Sequence, residues 1–273
     1  MSTELKCGRA GLATIGLAAA LLAAAVAAHG QSMMSNLDFS SPRMSEAELS
    51  RADVEAILAQ APEDGSADLT DKSLNGLDLS GLDLSGADLS YSRLNKTDLS
   101  GAKLTGAKLD LAWLVEADLT EADLTGASLI QTQLPRVRLE RADLSGAKAL
   151  ANFESAQMPG VVFRGAQMSP DMRNQSMGLM RTVFRSAVMD GADLSGASLQ
   201  WGDLEFAKLR GANLTDVDVT NAKLGGVDLT GATVTGLNVA RADLASAKLR
   251  QIEGREAIVG LERAFYVDRV FWD

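Results

Sequence analysis

The sequence predicts an all-β solenoid, a fold in which short repeats stack along one axis. Leucine occupies every fifth position from Leu69 to Leu144. A second run of apolar residues with the same spacing extends from Phe184 to Leu249. This period is neither that of an α-helix nor that of a flat strand, so it indicates stacked coils rather than a helix bundle or an open sheet.

Each repeat has the same internal pattern, as in the segments GADLS and GAKLT. A small apolar residue lies two positions before the central leucine, and a polar residue, most often Asp, lies directly before it. Ser or Thr follows, and then Gly, which permits a sharp backbone bend. We expect the apolar pair to point inward and the other residues to face solvent. The predicted structural core includes Leu69, Leu74, Leu79, Leu84, Leu89, Leu94, Leu99, Leu104, Leu109, Leu114, Leu119 and Leu124.

The motif A-(D/N)-L-x-x resembles the repeat of the pentapeptide-repeat family across about residues 65–251. The resemblance implies a right-handed quadrilateral β-helix with four pentapeptides in each coil, and the length of the repeat region then implies about nine coils. At about 4.8 Å per coil, the rod would be on the order of 43 Å long. Both ends of such a rod expose unpaired backbone groups, so both need caps.

The flanking segments supply candidates for these caps. Ser45 and Glu48 have the spacing of a capping box, and an apolar stripe that includes Val54 follows, which predicts an N-terminal capping helix over about residues 45–60. The C-terminal segment has apolar residues at helical spacing and predicts a short helical cap. The resemblance implies a second role for this cap, because gyrase-directed members of the family form homodimers through their C-termini. The predicted domains are 1–30, 31–64 with the linker and N-terminal cap, 65–251 with a register break near 145–183, and 252–273.

The first thirty residues have the composition of a secretory signal. Lys6 and Arg9 precede an uncharged, alanine-rich stretch over residues 10–28, and small residues follow it. This order predicts a cleaved signal peptide and a periplasmic or secreted protein. The alternative is an uncleaved anchor, in which residues 10–28 attach the protein to the membrane.

Composition excludes several classes of activity. Cys7 and His29 are the sole cysteine and histidine, and both lie in the predicted signal. The repeat region therefore has no Ser-His-Asp triad, no Cys-His pair and no Cys/His zinc site. The net charge of −10 argues against nucleic-acid binding through phosphates. We predict no enzymatic activity, no catalytic or metal-binding residues and no cofactor.

The midsection of the repeat differs from its flanks. Residues 136–185 carry eight basic and four acidic residues, whereas residues 65–135 carry five basic and eleven acidic residues. A basic belt between acidic flanks is a candidate contact surface, although a solvated bulge would have the same composition. Exposed tryptophan can also anchor a partner. The candidate partner-binding residues are Arg136, Arg138, Arg141, Arg164, Arg181, Arg185, Trp113 and Trp201.

Together these features predict a non-enzymatic, exported scaffold of the cell envelope that binds a protein partner along its long sides. The alternative, which the resemblance implies, is an acidic rod that mimics duplex DNA and binds a type II topoisomerase such as gyrase. The export signal and the basic belt argue against this alternative.

Overall fold

The computed structural model describes residues 41–62, 66–173 and 180–273. From Asp68 onward the backbone winds into a four-sided coil. Parallel β-bridges join residues twenty positions apart, such as Asp68 with Asp88 and Ser73 with Arg93. One coil therefore contains four pentapeptides, and the chain is a β-helical solenoid, as its period predicts.

The bridged residues form four columns along the rod, and each column marks one face. They occupy the position directly before the central residue, so their side chains point away from the core. Face A consists of Asp68, Asp88, Lys108, Ser128, Lys148, Gln167, Ser198, Asp218, Asn238 and Val259. Face B consists of Ser73, Arg93, Trp113, Gln133, Asn152, Val183, Asp203, Lys223, Asp243 and Phe265. Face C consists of Asp78, Asp98, Asp118, Arg138, Gln157, Val188, Lys208, Asp228, Lys248 and Phe271, and face D of Asp83, Lys103, Asp123, Asp143, Val162, Asp193, Asn213, Thr233 and Glu253.

A single pentapeptide shows why this sequence turns a corner. The amide of Ser85 donates to the Asp83 carboxylate at 3.2 Å, and the amide of Ala87 donates to the carbonyl of Leu84 at 3.1 Å. Between them Gly86 adopts a φ of 70°. A left-handed residue at the third position of a four-residue turn is the arrangement of a type II turn, which favours glycine there.

Backbone hydrogen bonds between coils hold the stack together. The amide of Leu84 donates upward to the carbonyl of Lys103 at 2.7 Å, and the amide of Lys103 donates downward to the carbonyl of Leu82 at 2.9 Å. The same pair of bonds recurs along each face. Each coil thus satisfies the backbone groups of its neighbours, which is the requirement for burying them.

Side chains from all four sides fill the interior. The central leucines from Leu69 to Leu124 are fully buried. In the middle of the rod, Phe153, Phe163 and Phe184 take the central positions instead. The rings of Phe153 and Phe184 stack at 5.0 Å between centroids, and Phe163 meets Phe184 edge-on at 5.7 Å. The bulkier side chains therefore continue the core without a break.

The N-terminal end differs in detail from the expected helix over 45–60. A short helix, α1 (Pro42–Ser45), precedes the main helix, α2 (Arg51–Ala59). The capping box is formed by Ser50 and Asp53, not by Ser45 and Glu48. Glu48 is instead held by the first coil, because its amide donates to the carbonyl of Ser73 at 2.8 Å.

These N-terminal residues cover part of the open edge of the first coil. Ala47 forms an antiparallel bridge with Leu74, and Val54 of α2 is fully buried in the apolar core. The Arg51 guanidinium donates to the carbonyl of Asp78 at 3.0 Å and to that of Ser80 at 3.2 Å. Backbone groups that would otherwise lack a next coil therefore have partners.

The C-terminal segment does not form the predicted helical cap. It continues the bridge columns with a six-residue spacing, through Glu253, Val259, Phe265 and Phe271. Three 3₁₀ turns form the corners, at Arg255–Ala257, Leu261–Arg263 and Val267–Arg269. The added residue in each unit changes the sequence period, so the apolar residues of this last coil have a spacing that imitates a helical stripe.

The predicted register break near 145–183 has two separate causes. Gln133 pairs with Asn152 nineteen residues later, so one coil is shorter by one residue. Gln167 pairs with Ser198 thirty-one residues later, so the next coil contains eleven extra residues. Thr182 closes the base of this insertion, because its hydroxyl donates to the carbonyl of Met168 at 2.7 Å. The coils on either side keep their regular bonds, so the rod is not deformed there.

The final coil and the insertion alter the coil count from the expected nine. Faces A, B and C have ten bridged positions each and face D has nine, or nearly ten coils. In the described ranges, no helix has the length and apolar character to cross a lipid bilayer.

Candidate functional site

The structure distributes the candidate arginines around the rod. Arg138 lies on face C, and Arg136 and Arg141 lie at the two corners that border this face. Arg164 follows the central residue of a face D unit, and Arg185 has the same place on face B. Arg181 lies beside the insertion and is exposed. Face C thus gathers three of the six arginines, whereas the other three lie elsewhere.

The three arginines around face C pair with acidic side chains one coil below. Arg136 contacts Glu116 at 2.8 Å and Arg138 contacts Asp118 at 3.0 Å. Arg141 pairs in the same way with Glu121. Each acidic partner lies twenty residues before its arginine, which is the length of one coil. A search of the sequence for opposite charges twenty residues apart could therefore have identified these pairs. Exposed pairs of this kind contribute little to stability, about 0–1 kcal/mol each.

Two of the remaining arginines also form ion pairs between coils. Arg164 contacts Asp193 on the next coil at 2.9 Å. Arg185 contacts Asp203 at 2.8 Å and also pairs with Glu205. The hydrogen bond to Asp203 raises the pKa of Arg185 above its ordinary value. The insertion separates Arg164 from Asp193 in the sequence, whereas Arg185 and Glu205 keep the regular one-coil offset of twenty residues.

The two candidate tryptophans lie in different surroundings. Trp113 is half-buried on face B between Arg93 and Gln133. Trp201 lies at the corner between faces A and B, and its side chain is 41% exposed. It occupies the left-handed turn position with a φ of 63°, so its ring projects from an edge of the rod.

The edge around Trp201 carries other apolar side chains, of which Tyr91 and Met172 are exposed and Leu111 and Ile130 are partly buried. Tyr91 occupies the equivalent corner near the N-terminal end, and Leu111 occupies that corner one coil further on. Ile130 follows the central position of the next face A unit, and Met172 lies in the insertion that leaves the rod at this corner. We call Tyr91, Leu111, Ile130, Met172 and Trp201 the neutral edge. Aromatic and methionine side chains with few charges are typical of protein interfaces.

The aspartates before the central leucines have a structural role beside their charge. The amide and hydroxyl of Thr120 both donate to the Asp118 carboxylate, at 3.0 and 2.6 Å. Asp68 and Asp78 bind the following Thr or Ser in the same way, and these hydrogen bonds, first from the hydroxyl and then from the amide, hold the pKa of both carboxyls below the usual range. In the described residues, acidic side chains do not cluster as a metal site would require.

The last coil forms a second apolar region. Val259, Phe265 and Phe271 occupy outward positions on faces A, B and C, and each is about half exposed. Tyr266 adds a further exposed ring at the corner between them. Arg255 covers the Trp272 ring at 4.0 Å, a cation–π contact that fixes the end of the chain.

Fold and surface together define a four-sided β-helical rod whose outward positions offer binding faces rather than a cleft. The model of pentapeptide repeats matches in eight copies, over residues 67–106, 83–120, 112–148, 179–216 and 212–251. These segments cover more than half of the chain. The chain therefore belongs to the pentapeptide-repeat family.

Solved structures of pentapeptide-repeat proteins are similar to this chain. HetL from the cyanobacterium Nostoc sp. strain PCC 7120, which is involved in heterocyst differentiation regulation, is 29% identical with a TM-score of 0.46, over 81% of this chain and 99% of HetL. A trypsin-treated variant of QnrB1, a plasmid-mediated fluoroquinolone resistance protein, is 18% identical with a TM-score of 0.31, over 70% of this chain and 90% of QnrB1. A protein of the Arabidopsis thaliana thylakoid lumen is 18% identical with a TM-score of 0.24, over 69% of this chain and 88% of its own. No curated protein matches this chain.

Proposed function

We propose that this protein is a non-enzymatic, exported scaffold that binds a protein partner along the neutral edge. The observation that carries the proposal is the exposure of Tyr91, Met172 and Trp201 along one edge of the rod, at 59%, 51% and 41%. Interfaces concentrate binding energy in a few aromatic side chains of this kind. The rigid stack of coils holds such side chains at fixed distances from one another.

The six candidate arginines of the basic belt are a weaker site for this contact. Five of these six form ion pairs with the protein's own carboxylates, and the six lie on different sides of the rod. A partner would have to compete with these pairs. The proposal that the protein is exported is based on the composition of the first thirty residues. The predicted mature chain begins near residues 29–31.

A pull-down from the native envelope fraction, compared among matched variants, tests the proposal. We expect Trp201→Ala to abolish recovery of the partner, because an exposed aromatic anchor commonly contributes about 2 kcal/mol or more. A variant with Arg136, Arg138 and Arg141 changed to Gln should retain the partner. Glutamine is the appropriate neutral replacement, since glutamate would face Glu116 and Asp118 across the coil boundary.

The opposite result would transfer the site to the candidate arginines of the basic belt. Partner recovery that survives Trp201→Ala but is lost in the triple glutamine variant excludes the neutral edge as the main contact. The intact mass of the protein from its native host tests export separately. Full-length protein in the cytosol contradicts it.

A further inference from the structure

We propose that face C binds face C of a second copy of this chain, with the two rods antiparallel. This self-association is independent of the partner proposed for the neutral edge. Its basis is the charge along face C, which changes sign from one end of the rod to the other.

The N-terminal part of face C is acidic. Its first three bridged positions are Asp78, Asp98 and Asp118, spaced one coil apart. Each central leucine there is followed by Ser or Thr, which carries no charge. The Asp78 side chain remains 69% exposed although Arg51 contacts it at 3.1 Å. A partner surface opposite this region is therefore favoured if it is basic.

The C-terminal part of face C is basic. Lys208 and Lys248 are exposed at the seventh and ninth bridged positions, and Arg210 and Arg250 are exposed beside them. Asp228, between the two lysines, is the acidic exception. Within the described ranges, Lys208 and Arg250 form no ion pair with their own chain. The charges of these two residues are available to a partner, whereas Arg210 and Lys248 already pair with Asp190 and Asp228 and would have to share their charge.

An antiparallel arrangement brings these two halves together. A two-fold axis that runs across the rods between the two faces passes Gln157, the fifth bridged position of face C. It places the first bridged position opposite the ninth of the second copy, and the third opposite the seventh. Asp78 then faces Lys248 and Arg250, and Asp118 faces Lys208 and Arg210. The fourth and sixth positions place Arg138 opposite Val188, and beside them Glu140 lies opposite Asp190, which is an unfavourable pair.

The axis itself passes through an uncharged region. Gln157 is exposed and Pro159 beside it is partly buried, so neither residue carries a charge that would repel its own copy. Among the bridged positions Asp98 opposite Asp228 is also unfavourable, so the favourable pairs at the two ends must outweigh these two acidic pairs. Two-fold dimers bring one surface patch against itself, so every favourable contact occurs twice.

The size of the surface implies a weak, salt-dependent dimer. The nine positions extend about 40 Å along the rod, but the face is only one pentapeptide wide. Such an interface lies at the low end of the range for specific complexes, so charge must supply much of the affinity. The dimer should therefore form at low ionic strength and dissociate at about 0.5 M NaCl, where charges are screened.

Sedimentation of the full-length chain at low salt, with matched charge variants, tests the proposal. Arg250→Glu should reduce the dimer fraction, and adding Ser80→Lys to it should restore the dimer, because the new lysine then lies opposite the new glutamate across the interface. Arg241→Glu is the control, since it makes the same charge change at an exposed corner away from face C. The proposal is overturned if the protein is monomeric at low salt, if Arg241→Glu has the same effect as Arg250→Glu, or if Ser80→Lys does not rescue.

A disulfide at the two-fold axis provides a second test. In a Cys7→Ser background, Gln157→Cys should oxidise to a covalent dimer, because an antiparallel pair places residue 157 opposite its own copy. Gln133→Cys on face B is the matched control and should stay monomeric. Equal cross-linking of both variants contradicts the proposed interface, as does dimer formation that depends on Phe265 of the last coil.

Discussion

At the level of single residues, the repeat depends on two adjacent side chains with opposite surroundings. Leu119 is fully buried between coils, whereas Asp118 points outward and accepts hydrogen bonds from Thr120. The leucine removes apolar surface from water. The aspartate accepts a hydrogen bond from the turn amide of Thr120, which has no partner in the backbone hydrogen bonds between coils. The burial recurs in each regular unit and the aspartate in many of them, so a loss at one such position should be representative of the others.

Removal of the central leucine should be strongly destabilising. Leu119→Ala leaves a cavity flanked by the coils above and below, and we expect a loss of about 2–5 kcal/mol in the free energy of unfolding. Denaturant melts measure this loss. An effect below that of an exposed substitution would mean that the interior at this position collapses to fill the space.

Removal of the outward aspartate should also have a measurable effect, larger than for an ordinary exposed charge. Asp118→Ala leaves the Thr120 amide without its acceptor, at a cost of about 1 kcal/mol. Asp118→Asn is the matched control and should cost less, because an asparagine oxygen can accept the same bond, as Asn213 does for Thr215. Equal losses in the two variants would show that the negative charge, not the acceptor, is responsible.

At the level of elements, α2 and the segment before it close one end of the rod. Arg51→Ala removes the guanidinium from the carbonyls of Asp78 and Ser80, and we expect a loss of about 1–2 kcal/mol because these are charge-assisted hydrogen bonds. Glu55→Ala is the control, since it removes only the exposed ion pair between Glu55 and Arg51. Thermal melts of the two variants should differ, and equal midpoints would refute a capping role for Arg51.

The insertion should be dispensable for folding. Deletion of residues 170–180 removes eleven residues and joins Ser169 to Arg181, which can take the left-handed corner position that Arg136 and Arg141 occupy elsewhere. Thr182 still closes the unit. We expect a change in unfolding free energy of no more than about 1 kcal/mol, because loop length has a weak effect on closure entropy. Loss of cooperative unfolding in this variant would show that the insertion supports the core.

The sequence was sufficient to predict the elements that repeat and insufficient for those that occur once. The leucine period identified the coils and the inward positions, because every unit repeats the same constraint. The last coil did not follow this period, since its inward residues Ile252, Ile258, Ala264 and Val270 are six apart. Ile258, Leu261 and Phe265 fall by coincidence at helical spacing, which predicted a helix instead. The sequence grouped the candidate arginines by composition, but it could not assign each arginine to a face of the rod. That assignment depends on the eleven-residue insertion and on the coil that is one residue shorter, and both are defined by the pattern of β-bridges.

At the level of the whole molecule, the aligned carboxylates make stability dependent on pH. The pKa values of Asp68, Asp78 and Asp83 are held below the usual range, first by hydroxyl and then by amide hydrogen bonds. A lowered folded-state pKa stabilises the protein fully above the unfolded value of about 4, and this stabilisation disappears as the pH falls through the folded value. We therefore expect a constant melting midpoint near neutral pH and a progressive decrease below about pH 4.

Thermal melts across this range, with and without salt, measure the effect. A variant with Asp68, Asp78 and Asp83 changed to Asn should show a weaker dependence on pH, because its turn acceptors do not titrate. If this variant and the parent lose stability in parallel, other groups must be responsible for the acid sensitivity.

The twenty-residue coil also determines how the protein can be assembled during synthesis. Each coil bonds only to the coil before it and the coil after it, and the first coil is closed by residues that precede it in the chain. The first few N-terminal coils can therefore stack once they have emerged and act as a template for the next twenty residues. Growth then proceeds in one direction, with loops that are short at every step. The widened last coil ends this growth, because its six-residue units no longer offer a following pentapeptide a matching register.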